Sequence, residues 1–230
     1  MIQKDLLPIN KPKSLKGIAY SIIKDAILTL KFRPGQALSH RQLAAQLEIS
    51  ETPIRDALQD LEREGFVVRI PHKGTFVTEI DRVDIEETFQ IRAELEALAV
   101  RLATPHLTED DFDEMNSLLA QANDVLAQGN HEQCSLLGAQ FHQCFIQKAD
   151  NQRLAAILNN FDDHLRRFRH ISDLISGRLE KSQGEHQKVF EAATRGDAEQ
   201  AGKAMRDHQL SVLQDIQMSD DEWLNYLGKT

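Results

Sequence analysis

Residues 39–65 contain two short helical patterns separated by a three-residue break, which restricts this part of the chain to two helices joined by a tight turn. Ser39 is placed to cap the first helix, and Gln42 can complete a capping box with it. Ser50 is placed to cap the second helix, with Pro53 in the first turn, where a missing N–H costs little. The buried positions of the second helix recur at helical spacing: Ile54, Ala57, Leu58 and Leu61. Gly65 ends this helix, because glycine adopts the left-handed conformation at a helix end without steric cost.

A short hairpin is predicted directly after these helices. Its strands are expected over Phe66–Ile70 and Thr75–Thr78, around the turn Pro71–Gly74. An amphipathic helix over Leu15–Leu30 precedes the helix pair and should pack against it. The sequence therefore predicts a winged helix-turn-helix unit over residues 14–80, preceded by a flexible arm at residues 1–13.

The start of the second helix is the expected DNA-reading end, because the N-terminus of such a helix enters the major groove, which is roughly 12 Å wide. Arg55 is the candidate for a specific contact, since a guanidinium can bond to guanine O6 and N7 together. Arg41 should reach the phosphate backbone, and the wing should approach a minor groove. The predicted DNA-binding residues are Arg41, Ser50, Glu51, Thr52, Arg55, His72, Lys73 and Gly74. The alternative is that both arginines pair with Glu48, Asp56 or Asp60 on a solvated surface.

The basic charge of the chain is concentrated in this first unit. The whole chain has a net charge of −9 and a sequence pI near 5.5. Residues 1–80 carry 12 Lys and Arg against 9 Asp and Glu, a net charge of +3, whereas the other 150 residues carry 15 against 27, a net charge of −12. Because phosphate repels an acidic surface, the second part of the chain is expected to face away from DNA and to serve another purpose.

Residues 81–230 have a helical period throughout, with Pro and Gly only at breaks, which predicts an all-helical bundle. The predicted helices run over about Val83–Ala103, Glu109–Ala127, His131–Ala149, Gln152–Ile171, Gly177–Thr194 and Ala198–Gln217, followed by a tail that contains Trp223. The predicted fold class is mainly α, with a winged helix-turn-helix domain followed by this bundle.

The composition excludes a membrane span, since no apolar run approaches the roughly 18 residues that one needs. The N-terminus lacks a secretory signal pattern. Cys134 and Cys144 are ten residues apart on one predicted helix, about 15 Å at 1.5 Å per residue, which is too far for a disulfide. These features predict a reduced, cytoplasmic chain without membrane contact.

Three histidines, His142, His186 and His208, fall on three different predicted helices. Neutral imidazoles that converge in a bundle core can hold Zn²⁺ or a similar ion, with one open position for an anionic ligand. The alternative is that each histidine is separately solvated or hydrogen-bonded. An enzyme with a hydrolytic metal site is disfavoured, because the sequence has no Gly-rich phosphate loop, no nucleophile elbow and no paired histidines with a glutamate base on one helix.

Several longer motifs point to a known family. The first part of the chain contains LSHRQLA at 38–44, SETPIRDAL at 50–58 and LEREGFV at 61–67. The second part contains IRAELE at 91–96, FH at 141–142, ADN at 149–151, EH at 185–186, GD at 196–197 and MRDH at 205–208. On these motifs the chain resembles GntR-family transcriptional regulators of the FadR/FCD branch. Its second part resembles the six-helix, VanR-like effector domain rather than the seven-helix, acyl-CoA-binding one.

The resemblance implies a homodimer that binds a short inverted repeat in double-stranded DNA and responds to a small carboxylate-type effector in the helical domain. It also implies a divalent metal, held by three histidines and by an aspartate four residues before the first of them. His142, His186 and His208 match the histidines, but Gly138 stands at the position of the aspartate. Since most members of the family act as repressors, release of DNA is the expected response to the effector.

Two interpretations of the effector pocket stay open. Either a metal on the three imidazoles binds the effector, or the histidines and Arg92 hydrogen-bond its carboxylate directly. Arg92 matches a family position that often faces the pocket, although Glu94 or Glu96 can simply pair with it. The expected effector-binding residues are Arg92, His142, His186 and His208. A further hypothesis is a metal sensor, in which the ion itself is the signal.

Overall fold

The computed structural model describes residues 14–79, 82–159, 161 and 175–218. The chain divides into two compact units after Glu79, and each unit is described by itself below. The arm predicted at 1–13, the tail with Trp223 and the second part of the helix predicted over Gln152–Ile171 lie outside the described residues.

The first unit is a winged helix-turn-helix, as predicted. Its elements in chain order are α1 (Leu15–Leu28), β1 (Ala37–Leu38), α2 (His40–Gln46), α3 (Glu51–Arg63), β2 (Val67–Ile70) and β3 (Gly74–Val77). The sheet is antiparallel in the order β1-β3-β2. Phe76 of the central strand β3 lies opposite Ala37 of β1 and opposite Val68 of β2. Strand β1 was not predicted, because two residues are too few to show the alternation that marks a strand.

The caps of α2 and α3 differ from the prediction. The hydroxyl of Ser39 accepts a hydrogen bond from the Gln42 backbone at 3.3 Å, but within the described chain Gln42 does not return the bond that a capping box needs. Ser50 has the extended backbone of an N-cap, yet its hydroxyl makes no capping bond. The reason is Pro53 at the third position of α3, which has no N–H to donate. Among the described residues, the Ser50 hydroxyl therefore has no capping partner.

The core of the first unit joins α1 to α3 and to the sheet. Its largest fully buried side chains are Ile23, Ile27, Ile54, Leu58, Leu61 and Phe66. At the edge of this core, the Lys24 ammonium lies 4.8 Å from the centre of the Phe66 ring and donates to Glu64 at 2.8 Å. The apolar face of α3 is thus fixed against the domain, which leaves its opposite face and its first turn exposed.

The second unit is helical throughout its described residues, which confirms the predicted bundle. It comprises α4 (Arg82–Ala103), a 3₁₀ turn (Thr104–His106), α5 (Glu109–Ala127), α6 (His131–Lys148), α7 (152–159), α8 (Arg178–Thr194) and α9 (Ala198–Met218). Thr108 and Asp111 form a complete capping box at the start of α5. Helix α4 packs on α9 and α6, and α8 packs on α9 and α5. No helix within the described ranges is both long and apolar enough to cross a bilayer.

A glycine lets α4 and α9 approach each other closely. A Cβ atom at Gly202 of α9 would lie 2.9 Å from the Ala97 carbonyl oxygen and 2.6 Å from Arg101 Cγ, both on α4. Only a residue without a side chain fits this gap. The close contact brings Gln209 of α9 to Glu96 of α4, where the amide donates to the carboxylate at 2.9 Å. Gly202 thereby helps to position the polar centre of the bundle.

Replacing this glycine should therefore destabilise the bundle. We expect Gly202→Ala to lower the free energy of unfolding by about 1–3 kcal/mol, because the methyl group must push the two helices apart. Gly184→Ala in α8 is the matched control, since no atom lies within 4 Å of its added Cβ, and it should stabilise the helix by up to about 1 kcal/mol. Urea unfolding followed by circular dichroism measures both. Equal midpoints for the two variants would show that α4 and α9 are less tightly packed.

Candidate functional site

The start of α3 presents polar side chains to solvent. All eight predicted DNA-binding residues are exposed: Arg41, Ser50, Glu51, Thr52, Arg55, His72, Lys73 and Gly74. Neither Arg41 nor Arg55 pairs with a carboxylate of the described residues, and Asp60 instead pairs with Lys16 at 2.6 Å and with Arg63. The structure therefore does not contain the ion pairs of the alternative interpretation, and both guanidinium groups are available to a partner.

Residues at the starts of α2 and α3 lie close enough to the wing strands to interact electrostatically with them. His40 is the first residue of α2. Its Nε2 atom lies 3.4 Å from the hydroxyl oxygen of Thr75 in β3. Burial first, and then the charges of Arg69 and Arg55, lower the pKa of His40, whereas the charge of Glu51 acts in the opposite direction. The sequence analysis missed His40 and Arg69. Arg69 is exposed on β2, but three consecutive residues of this strand are exposed, so no alternation marks Arg69 in the sequence.

The three predicted histidines converge in the second unit. The Nε2 atom of His186 (α8) lies 2.9 Å from Nε2 of His142 (α6) and 3.3 Å from Nε2 of His208 (α9). All three side chains are buried, and their ligand atoms lie within 4.8 Å of one another. Of the alternative that each histidine is separately solvated or hydrogen-bonded, the solvated half is thus not observed, since all three are buried.

Two of these histidines are held by carboxylates on their outer nitrogens. His142 Nδ1 donates to Glu96 at 2.5 Å, and His208 Nδ1 donates to Glu185 at 2.8 Å. A carboxylate on Nδ1 fixes the tautomer, so that Nε2 presents a lone pair to the centre of the triad. Within the described part of the chain, His186 Nδ1 is buried and has no hydrogen-bond partner.

The ionisation of these groups follows from their surroundings. Burial would raise the pKa of Glu96, but the charge of Arg92 and the hydrogen bonds from His142 and Arg92 outweigh it and hold the pKa well below its ordinary value. Burial would likewise raise the pKa of Glu185. Hydrogen bonds from His208 and Ser211 outweigh this effect and lower the pKa to about 2. Burial lowers the pKa of His186 strongly and that of His208 to about 4. Both carboxylates are therefore ionised at neutral pH, and these two imidazoles are neutral.

This donor set fits a divalent metal. With Nδ1 protonated on His142 and His208, both Nε2 atoms are acceptors, and a single N–H on His186 Nε2 can satisfy only one of them. A cation can bind all three lone pairs at once, and neutral imidazole backed by a carboxylate is a common zinc ligand. Among the described residues no fourth ligand joins the three imidazoles, and Gly138 offers no side chain. A Cβ atom there would lie 3.2 Å from His186 Cε1.

A cavity of about 70 Å³ adjoins the triad. Gly138 and Ser135 of α6, Gln183 of α8 and Arg92 of α4 contribute to its wall together with the three histidines. A water-sized group needs about 10–15 Å³ of such space, so the cavity has room for roughly five to seven of them. This volume is enough for a group of a few non-hydrogen atoms beside the histidines.

Two buried arginines line the same cavity. Arg92 pairs with Glu96, as one alternative predicted, whereas Glu94 pairs with Arg206 instead. Within the described residues the bond from Arg92 Nε is its only one, so its terminal nitrogens can still donate. Arg178 is bonded to Glu185, Asp215, Ser182 and Ser211.

Comparison with known proteins assigns both units. Residues 15–77 match the model described as bacterial regulatory proteins, gntR family, and residues 87–211 match the FCD domain. The chain belongs to the GntR family. It is 31% identical over 155 residues to the Nta operon transcriptional regulator of Aminobacter aminovorans, covering 67% of this chain and 73% of that protein. It is 22% identical to the HTH-type transcriptional repressor RspR of Escherichia coli, covering 94% of this chain and 96% of RspR.

The fold of this GntR regulator agrees with a solved relative. A GntR regulator from Rhodococcus sp. RHA1 superposes with a TM-score of 0.73 at 20% identity, covering 90% of this chain and 99% of that one. These findings confirm the predicted family and fold class. The protein is a transcriptional regulator with a DNA-binding helix-turn-helix and an FCD effector domain, and it is not an enzyme.

The carboxylates and the second arginine of the effector site were the residues that the sequence analysis missed. Glu96 was considered only as a partner of Arg92, and Glu185, Arg178 and Gln183 were not singled out. Glu185 directly precedes His186 in the EH motif, so the motif itself contained one signal. Arg178 and Gln183 carry no such signal, since Arg178 also bonds to Ser211 and Asp215 of α9 and Gln183 bonds to Cys134 of α6.

Loss of the Glu96 carboxylate should destabilise the site strongly. We expect Glu96→Ala to lower the free energy of unfolding by about 3–5 kcal/mol, because it leaves the buried Arg92 cation without its partner. Glu94→Ala is the matched control on the same helix, since its pair with Arg206 is exposed, and it should leave the urea midpoint almost unchanged. Similar midpoints for both variants would contradict a structural role for Glu96.

Proposed function

We propose that this regulator is a homodimeric repressor that binds a short inverted repeat and releases it when a small carboxylate-type effector binds, with a divalent metal, at the histidine triad. The observation that carries the effector part is the convergence of three buried Nε2 atoms on the wall of a small cavity. The name of the relative RspR supports the repressor role, since it is called a repressor.

On the DNA side, each exposed group has a role that suits its chemistry. Arg55 is proposed to bond to a guanine in the major groove. The free hydroxyl of Ser50 and that of Thr52 suit phosphate oxygens or base edges, and Arg41 suits the phosphate backbone. In the wing, His72 and Lys73 supply donors beside Gly74, whose lack of a side chain permits a close approach to a minor groove.

On the effector side, a metal and an anion complement each other in charge. The buried cations Arg92 and Arg178 are balanced by Glu96 and Glu185, so a divalent ion at the triad would add two uncompensated positive charges. An effector carboxylate would offset that charge, with Arg92 as a second donor. Since Gly138 contributes no carboxylate, we propose that the effector's own oxygen takes the open position.

Effector binding is proposed to act by shifting the spacing of the two reader helices in the dimer. Half-sites of an inverted repeat lie about 34–36 Å apart along the DNA, so a change in this spacing weakens simultaneous docking. A coupling free energy of about 1–3 kcal/mol would change the affinity for the operator roughly 5- to 150-fold.

The proposed DNA contact is tested with Arg55→Ala in gel-shift titrations on the intergenic DNA that flanks the gene. We expect affinity to fall by about 5- to 150-fold, because the bond to guanine contributes about 1–3 kcal/mol, and we expect native binding to weaken steeply with salt. Arg63→Ala is the control, because it removes the same charge from the other end of α3, where Arg63 pairs with Asp60. Native affinity in Arg55→Ala would contradict the assignment.

The metal site is tested by competing Zn²⁺ against a chelator, with acetate as the carboxylate probe. We expect His186→Ala to weaken Zn²⁺ binding by at least about tenfold, and Gly138→Asp to strengthen it, because aspartate restores an anionic ligand. Acetate should strengthen Zn²⁺ binding more in the native protein than in Gly138→Asp.

The control for this experiment is His131→Ala, an exposed histidine at the start of α6. Equal Zn²⁺ affinity in His186→Ala and His131→Ala would refute the metal site. If Zn²⁺ alone, without acetate, releases the intergenic DNA in gel-shift titrations, the protein is a metal sensor instead.

A further inference from the structure

An acidic side chain stands at the tip of the helix that is proposed to read DNA. Glu51 is the first residue of α3 and is exposed. A carboxylate at this place is repelled by the phosphates of any duplex that the helix approaches. Glu51 therefore cannot serve the backbone contacts proposed for Ser50 and Thr52, and its position calls for a different explanation.

Contacts within the protein do not supply that explanation. Glu51 precedes Arg55 by four residues, the order and spacing that favour an ion pair on a helix. Yet within the described residues neither side chain forms an ion pair, so each keeps its charged end free. A carboxylate in the first turn also interacts favourably with the helix dipole, but this interaction would stabilise any exposed helix and has no bearing on DNA sequence.

Glu51 and Arg55 nevertheless share one surface with the wing. Both act electrostatically on His40, whose ring lies beside Thr75 of β3, and so does Arg69 of β2. Their backbone positions are about 6 Å apart along α3, less than two base-pair steps of roughly 3.4 Å. Two side chains at this separation can reach neighbouring base pairs of one half-site.

We propose that Glu51 is a base-reading residue that selects cytosine, next to a guanine bound by Arg55. A carboxylate has no hydrogen to donate, so it cannot bond to the acceptors that guanine and thymine present in the major groove. Adenine offers its N6 amino group beside the acceptor N7, whereas cytosine offers the N4 amino group without such an acceptor on its own ring. Cytosine is therefore the best partner for Glu51, which makes it a determinant of specificity rather than of affinity.

This inference rests on the proposed docking of α3 in the major groove, and the experiment separates the two. The full-length native protein is used to select duplexes from a pool with a randomised 20-base-pair core. The selected duplex and its single-base variants are then titrated against native protein, Glu51→Gln, Glu51→Ala and Arg55→Ala. Asp56→Asn is the matched control, because it removes the same charge from an exposed position of the same helix.

We expect the native protein to prefer cytosine at one position of each half-site by about 5- to 150-fold. In both Glu51 variants this preference should fall to within about twofold, while affinity for unrelated duplex rises because a repelled charge is gone. Asp56→Asn should show the rise in affinity but retain the cytosine preference. If both Glu51 variants keep the native base preference while Arg55→Ala still weakens binding, the role of Glu51 is refuted but the docking of α3 is not. Absence of any sequence preference in the native protein would overturn the docking as well.

Discussion

The buried carboxylate of Glu96 is the group on which the histidine triad, the proposed effector site, depends. A charge removed from water costs several kcal/mol unless it is fully paired, and Glu96 is paired by Arg92, His142 and Gln209. These partners lie on α4, α6 and α9, so one side chain ties three helices together. The same bond to His142 fixes the tautomer of that imidazole and turns its Nε2 lone pair inward. The hydrogen bond between Glu96 and His142 therefore affects both the stability of the bundle and the lone pair that His142 offers to a ligand. Any change of Glu96 acts on both.

The three histidines are not equivalent. Glu96 holds His142 and Glu185 holds His208, whereas the buried Nδ1 of His186 has no hydrogen-bond partner among the described residues. The protein thus fixes the protonation pattern of two imidazoles and leaves the third to whatever binds at the centre. A metal would fix His186 as the third donor, and a metal-free anion would instead accept its proton. The two interpretations of the pocket differ chiefly in the state of His186, and Arg92 can assist in either case.

The sequence predicted the parts of this structure that depend on local regularity. The helical period of Ile54, Ala57, Leu58 and Leu61 identified α3, and all four residues are buried. The helix predicted over Glu109–Ala127 agrees with α5 at both ends. By contrast, the roles of Glu185 and Arg178 depend on partners up to 37 residues away, and helical spacing says nothing about such pairs. Gly202 was also missed, because its importance arises from the neighbouring helix rather than from its own.

Helices α3 and α5 begin in different ways, which shows how local stability varies from helix to helix. Helix α5 has a complete capping box, whereas α3 begins at Ser50 without a side-chain cap, because Pro53 removes the N–H that the hydroxyl would accept from. An N-cap bond contributes about 1 kcal/mol to a helix, so α3 gives up stability at its first turn. That turn is where free N–H groups and a free hydroxyl are useful, since helix N-termini bind phosphate oxygens. The buried apolar face of α3 compensates for the missing cap. In the helix proposed to read DNA, packing on one side therefore permits unsatisfied polar groups at the tip.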